Sequence, residues 1–166
     1  MSTNLVPNGD FESGKFAPWI AQTLQGKANV VNHNFSFQAQ LQPGVDNGIL
    51  LYTQFNAPSG SFVLSFTASA PTAQYYLPPF DYVTHAFFVF IISGFDNGGQ
   101  MVQTDFGLAP LQPTEKVFNY SGNMPACTAR VEVRFSAPSD PYKNKGSLYI
   151  DNVNYAPGQT LPQRWS

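Results

Sequence analysis

Short apolar segments alternate with polar ones along most of the chain, and few stretches show the three-to-four-residue repeat of a helix. The apolar segments are rich in β-branched and aromatic residues, and clusters of Gly, Pro, Asn and Asp separate them at fairly regular intervals. This pattern is typical of an all-β sandwich or barrel. We predict nine strands, over residues 28–32, 37–41, 49–56, 61–70, 83–95, 100–108, 115–120, 129–137 and 147–155.

Two stretches of the sequence indicate their position in the fold. Segment 83–95 is apolar on both faces, which predicts a central strand or one covered by a loop or by another chain. The sequence D-N-G-G at 96–99 lies between two strand-like segments. Since Asp, Asn and Gly tolerate positive φ, it predicts a hairpin turn.

The last strand alternates imperfectly. A strict period of two puts Asp151 on the same face as Tyr149, Val153 and Tyr155, which is a largely apolar face. A carboxylate buried there needs a partner.

Composition narrows the functional classes. Charged residues make up 11% of the 166 residues, against about 25% in an average soluble protein. Asn, Gln, Ser, Thr and Tyr must therefore cover the surface, which suits a neutral glycan or packing against copies of the chain in a homo-oligomer. A net charge of −2 with no Lys/Arg cluster gives no surface for nucleic acid. The longest apolar run, at 86–92, is too short to insert into a membrane as a helix.

The length fits one domain over residues 1–166, with an irregular tail at 156–166. The single cysteine, Cys127, excludes an internal disulfide. Its thiol is expected either as a small buried apolar group or in an intermolecular disulfide. No signal peptide is visible at the start, so export would need a leader absent from this sequence or release by cell lysis.

Acidic residues near the two chain ends suggest a metal site. Asp10 and Glu12 are two residues apart in an extended segment, so they point to the same side. Asp151 comes from a late strand. If the first and last segments are neighbours, a calcium ion bound by these carboxylates would close the fold. In the simpler interpretation Asp10 is a turn residue, Glu12 is exposed and Asp151 bonds a nearby backbone.

Both ends of the chain also resemble a known family. The opening N-L-V-P-N-G-D-F-E-S-G-K-F-A-P-W and the closing S-L-Y-I-D-N-V-N-Y resemble the two ends of carbohydrate-binding modules of the family 4/9/22 type. The segments between them follow in matching order. A similar layout occurs in the N-terminal domains of collagen-like bacterial surface and spore proteins, although this chain has no Gly-X-Y tract.

The resemblance implies an all-β jelly-roll β-sandwich of two antiparallel sheets. It implies a structural calcium held by Glu12 and Asp151, with Asp10 as the weaker candidate and backbone carbonyls as further ligands. An extracellular location, or one on a bacterial cell or spore surface, is implied as well.

A glycan site needs aromatic faces beside hydroxyl-reading polar groups. A proline-rich loop supplies both, and its candidates are Gln74, Tyr75, Tyr76, Asp81 and Tyr82. The alternative is that these aromatic residues only pack over the end of the sandwich. Trp19 is expected in the core.

No nucleophile, zinc or phosphate-loop motif is present, so we expect a protein without catalytic activity. Two functional hypotheses remain. The first is a carbohydrate-binding module that recognises a neutral glycan. The second is a self-assembling structural or adhesion protein with Phe88 or Phe90 buried between chains.

Overall fold

Two five-stranded antiparallel sheets face each other in the computed structural model, which describes residues 4–73, 87–140 and 146–158. This arrangement confirms the predicted jelly-roll sandwich. Its ten strands are β1 Ile20–Thr23, β2 Gly26–His33, β3 Ser36–Pro43, β4 Ile49–Asn56, β5 Gly60–Ser69, β6 Phe87–Phe95, β7 Met101–Pro110, β8 Lys116–Met124, β9 Arg130–Ala137 and β10 Leu148–Pro157. Within these ranges there is no helix long and apolar enough to cross a bilayer.

The strand order interleaves distant parts of the chain. Sheet A runs β1-β4-β9-β6-β7, and sheet B runs β2-β3-β10-β5-β8. β6 lies between β9 and β7, so the doubly apolar segment is an inner strand, as predicted; residues 83–86 lie outside the described residues. The edge strands β7 and β8 of the two sheets lie close together, since the Gln103 side chain donates to the Asn123 carbonyl at 2.8 Å.

All nine predicted strands are present, with ends shifted by a few residues. The missed strand is β1, which has only four residues and pairs with β4. Three of its four residues are exposed, so it shows no alternation of apolar and polar positions. The predicted irregular tail starts too early, because β10 continues through Pro157; residues 159–166 lie outside the described residues.

The core lies between the sheets and is rich in aromatic rings. The Phe66 ring lies 6.0 Å from that of Phe88, 5.4 Å from that of Phe90 and 4.9 Å from that of Phe135, measured between ring centroids. Phe88 is 1% exposed and Phe90 is 7% exposed. The expectation that either ring is buried between chains is therefore wrong, because alternation along β6 turns both inward.

A β-bulge in β10 changes which of its side chains face the core. The register with β5 shifts between Asp151 and Asn154, and Asn152 has φ 51°. The extra residue puts Val153 and Tyr155 into the core, on the same side as Ile150. Asp151 is therefore not on the apolar face that strict alternation predicts.

The predicted hairpin turn at 96–99 is present between β6 and β7. Asp96 Oδ1 accepts hydrogen bonds from the amides of Gly98 and Gln100, both at 2.9 Å. Gly99 has φ 81°, a conformation that costs glycine little.

The buried environment expected for Cys127 is wrong, since its side chain is exposed. β9 begins only at Arg130, and Cys127 belongs to the turn before it, in which the Thr128 amide bonds the Pro125 carbonyl at 3.0 Å. The alternating pattern that begins at Cys127 therefore does not bury its first residue, although the predicted strand at 129–137 matches β9 to within one residue.

Candidate functional site

The first described residues run beside the last strand. The Leu5 amide donates to the Tyr155 carbonyl at 3.1 Å, and the Val153 amide donates to the Gly9 carbonyl at 2.9 Å. The Asn4 side chain accepts from the Tyr155 amide at 3.0 Å. The predicted contact between the chain ends is therefore present.

The local sequence explains this contact. A Cβ at Gly9 would overlap the Val153 carbonyl oxygen, so only glycine allows the approach. Phe11 is fully buried with φ 55° and packs against Trp19 at a centroid distance of 5.5 Å. Trp19 is 4% exposed and donates from Nε1 to the Pro7 carbonyl at 3.0 Å, which confirms its place in the core.

The three candidate metal ligands have different surroundings. Asp10 is exposed, and its Oδ1 accepts from the Glu12 amide at 3.2 Å. Glu12 is exposed, and its Oε1 accepts from the Phe37 amide at 3.2 Å. Asp151 is 3% exposed, and its Oδ2 accepts from the Ser36 hydroxyl at 3.3 Å. Glu12 and Asp151 therefore bind adjacent residues of β3.

Asp151 is compensated only by neutral donors in these contacts. Its Oδ1 accepts from the Asn152 amide at 2.8 Å. The pKa of its carboxyl is raised from 3.8 to about 6, mainly by burial. The two hydrogen bonds lower the pKa, and the negative charges of Glu12 and Glu115 raise it. The carboxylate form is thus destabilised here, which a cation would reverse.

The donor chemistry of Glu12 and Asp151 fits calcium, which prefers carboxylate and carbonyl oxygens. In the described ranges, however, no three His, Cys, Asp or Glu side chains converge on one point. Asp10 instead lines a pocket of about 260 Å³ together with Asn4, Asn152 and Asn154. Carbonyl oxygens and water would have to complete the coordination around the two acids.

The loop candidates for glycan binding, Gln74, Tyr75, Tyr76, Asp81 and Tyr82, lie outside the described residues and stay predictions.

The outward surface of sheet A carries a second set of candidate side chains, which we call the sheet A face. Antiparallel register aligns them in rows across the strands. The middle row is Ile20, Tyr52, Arg134, Ile91 and Phe106. One neighbouring row is Gln22, Leu50, Ser136, Val89 and Leu108, and the other is Gln54, Glu132, Ser93 and Thr104.

Polar groups in this face hold one another in place. Glu132 Oε1 accepts from Arg134 Nε at 3.1 Å and lies 3.0 Å from Nη2. Its Oε2 accepts from Gln54 Nε2 at 2.8 Å. The Arg134 guanidinium lies 5.0 Å from the centroid of the Tyr52 ring, and the Tyr52 hydroxyl accepts from Gln22 at 3.2 Å. An aromatic ring, a cation and two amides are therefore oriented together.

The sheet A face has a polar half and an apolar half. The polar half lies on β1, β4 and β9. On β6 and β7 the face is apolar in the middle row and in the row of Val89, with Phe106 69% exposed and Leu108 57% exposed. The third row there, Ser93 and Thr104, is polar. Beyond the polar half, a cleft of about 540 Å³ is lined by Gln22, Leu24, Asn47 and Leu50 among others.

The sequence contains part of the signal for this face. Alternation in 131–135 already places Glu132 and Arg134 on the side opposite Val131, Val133 and Phe135. It cannot place Tyr52, which lies 82 positions before Arg134 in the chain, because the register between β4 and β9 is a property of the assembled sheet.

Comparisons with known proteins support the fold. No family model matches the chain, and no curated protein matches it. The enzymatically active domain of tailspike protein 4 from bacteriophage CBA120 matches with a TM-score of 0.71 and 20% identity over 92% of this chain. The chain spans only 21% of that tailspike chain.

Two carbohydrate-binding modules match over nearly their whole length. A family 61 module solved in complex with β-1,4-galactotriose has a TM-score of 0.62 and 17% identity, covering 93% of this chain and 98% of its own. A family 4 module has a TM-score of 0.57 and 16% identity, covering 91% and 98%. The jelly-roll fold of carbohydrate-binding modules is therefore the fold of this chain. The resemblance to collagen-like surface proteins stays a prediction.

Proposed function

We propose that the chain is a non-catalytic carbohydrate-binding module that binds a neutral glycan on the sheet A face. The observation that carries this proposal is the arrangement of Tyr52, Arg134, Glu132, Gln22 and Gln54. A sugar ring can place its C–H groups against an aromatic side chain while amides and a guanidinium bond its hydroxyls. Arg134 and Glu132 neutralise each other, so the polar half suits an uncharged ligand.

A binding experiment tests this assignment directly. Tyr52→Ala should weaken binding of an array-selected glycan about tenfold or more, because an aromatic anchor is lost. Titration calorimetry measures the effect. Tyr149→Ala is the matched control, since Tyr149 is a half-buried tyrosine on the outward surface of sheet B whose hydroxyl accepts from Gln40 at 3.0 Å. Equal losses in both variants, or none in either, would reject the sheet A face.

The carboxyl content of the face supports binding rather than hydrolysis. Glycoside hydrolases generally use a pair of carboxyl groups across the scissile bond. Within the described parts of the sheet A face, Glu132 is the sole carboxyl group, and Arg134 and Gln54 already bind it. Asp81 lies outside the described residues, so turnover assays on any bound glycan remain part of the test.

The loop tyrosines are a second proposed part of the glycan site. In the chain they come before β6, one of the strands of the sheet A face. Tyr75→Ala and Tyr76→Ala should then weaken the same glycan that Tyr52→Ala weakens. A module of this kind would act outside the cell or on its surface, where polysaccharides are met.

A structural calcium between the chain ends completes the proposal. Glu12 and Asp151 would hold it, with Asp10 as the weaker candidate ligand. The ion would supply positive charge to a buried carboxylate whose bonds come from neutral donors. It would also join the first segment to β10, which is a stabilising role rather than a catalytic one.

Self-assembly is the second candidate function. The favouring observation is the exposure of Phe106, Leu108 and Met101 along the edge strand β7. A stable oligomer that binds no glycan, and that dissociates on Phe106→Thr, would favour this function over the first.

A further inference from the structure

We propose that the glycan carries acetyl groups and that an acetyl methyl packs on the apolar half of the sheet A face. We call this half the ledge and define it as Val89, Ile91, Phe106 and Leu108. The inference rests on the proposed function, because it concerns the ligand of the same face.

Register places the ledge next to the polar half. Ile91 lies directly opposite Arg134, and Phe106 lies opposite Ile91. Neighbouring strands are about 4.8 Å apart, so a sugar held at Arg134 has its substituents over the ledge. Val89 and Leu108 widen the apolar surface in the neighbouring row.

The ledge contains apolar side chains that are largely exposed to solvent. Phe106 and Leu108 are 69% and 57% exposed and lie on the same face two residues apart. Scattered apolar side chains are common on a protein surface, but adjoining ones mark contact sites. Here the ledge continues without a gap from the polar half, so one ligand can cover both.

Ligand chemistry then selects the substituent. A sugar ring whose C–H face packs on Tyr52 extends its hydroxyl substituents, rather than that face, over the ledge. An unsubstituted hydroxyl there would be removed from water without a partner, which is unfavourable. An acetyl group instead offers a methyl to the ledge and a carbonyl oxygen to a donor. Arg134 binds Glu132 through Nε and Nη2, so the ion pair does not use Nη1, which can donate to that carbonyl.

Matched polysaccharide pairs test the inference. The probes are acetylated xylan and acetylated glucomannan, each arrayed beside its deacetylated form. We expect the acetylated member of the bound pair to bind about tenfold more tightly, since it adds a buried methyl and one hydrogen bond. Phe106→Thr and Leu108→Thr should each remove most of that preference, so that the acetylated and deacetylated members of the pair bind with similar affinity.

The control is Val117→Thr. Val117 is 58% exposed on β8, the edge strand of sheet B, and its replacement should change neither affinity. Glycan binding that depends on Tyr52 but ignores acetylation would overturn this inference and leave the proposed function intact. A ledge variant that dissociates an oligomer while the acetyl preference persists would also overturn it. Binding to no arrayed glycan would reject both proposals together.

Discussion

Glu132 in sheet A and Asp151 in sheet B are both buried carboxylates, but their hydrogen-bond partners differ in charge. Glu132 is 7% exposed and binds the Arg134 guanidinium through one oxygen and Gln54 through the other. Asp151 is 3% exposed, and its two hydrogen bonds come from a hydroxyl and an amide. Burial alone therefore does not define a cation site; the decisive feature is whether the protein supplies the positive charge.

The largest expected effect concerns pH. With calcium removed by chelator, the Asp151 carboxyl keeps its proton to about pH 6 in the folded protein, against 3.8 as its ordinary pKa. The folded state then binds more protons than the unfolded chain between these values, so stability falls as the pH rises. The loss between pH 4 and pH 7 should reach at most about 3 kcal/mol.

Urea unfolding of wild type and Asp151→Asn, both in chelator, measures this loss. The variant has no carboxyl at 151, so its stability should fall less over the same range, and the difference between the two curves isolates the group. Parallel curves would show that Asp151 does not carry the pH dependence.

Calcium itself should produce the next effect. An ion that binds only the folded state adds about 2.7 kcal/mol at a concentration of one hundred times its Kd. Asp151→Asn and Glu12→Gln should reduce this gain, whereas Glu132→Gln should retain it because its charge is already paired. Thermal unfolding with and without calcium provides the measurement, and a melting curve of wild type indifferent to calcium would remove the proposed site.

Breaking the pair in sheet A should have a smaller effect. Arg134→Met leaves Glu132 buried without its cation, which costs up to about 3–5 kcal/mol at a fully buried site. Since the Arg134 side chain is 34% exposed, solvent screens the pair and we expect about 1–2 kcal/mol. The double variant Arg134→Met with Glu132→Gln should recover part of this loss in urea unfolding. A full, additive loss would mean that the two groups do not interact.

The sequence predicts the surroundings of Asp151 better than those of Glu132. Its ends resemble those of a known module, so Glu12 and Asp151 could be proposed as neighbours, and the strands around them were predicted. The bulge at Asn152 was not predictable from alternation, because one residue with φ 51° reverses the faces that follow. Alternation also placed Glu132 on the surface without showing that its partners bury it.

The smallest expected effect separates the two hydrogen bonds to Glu132. Gln54 is exposed and donates to Oε2 at 2.8 Å, so Gln54→Ala should cost about 0.5–1.5 kcal/mol, as for an ordinary hydrogen bond. The loss should grow when Arg134 is already methionine, because Gln54 is then the remaining donor to a buried charge. Asn56→Ala, two residues further along β4 and also exposed, is the control. If Gln54→Ala costs no more than this control in both backgrounds, the amide only covers Glu132, and its compensation rests on Arg134 alone.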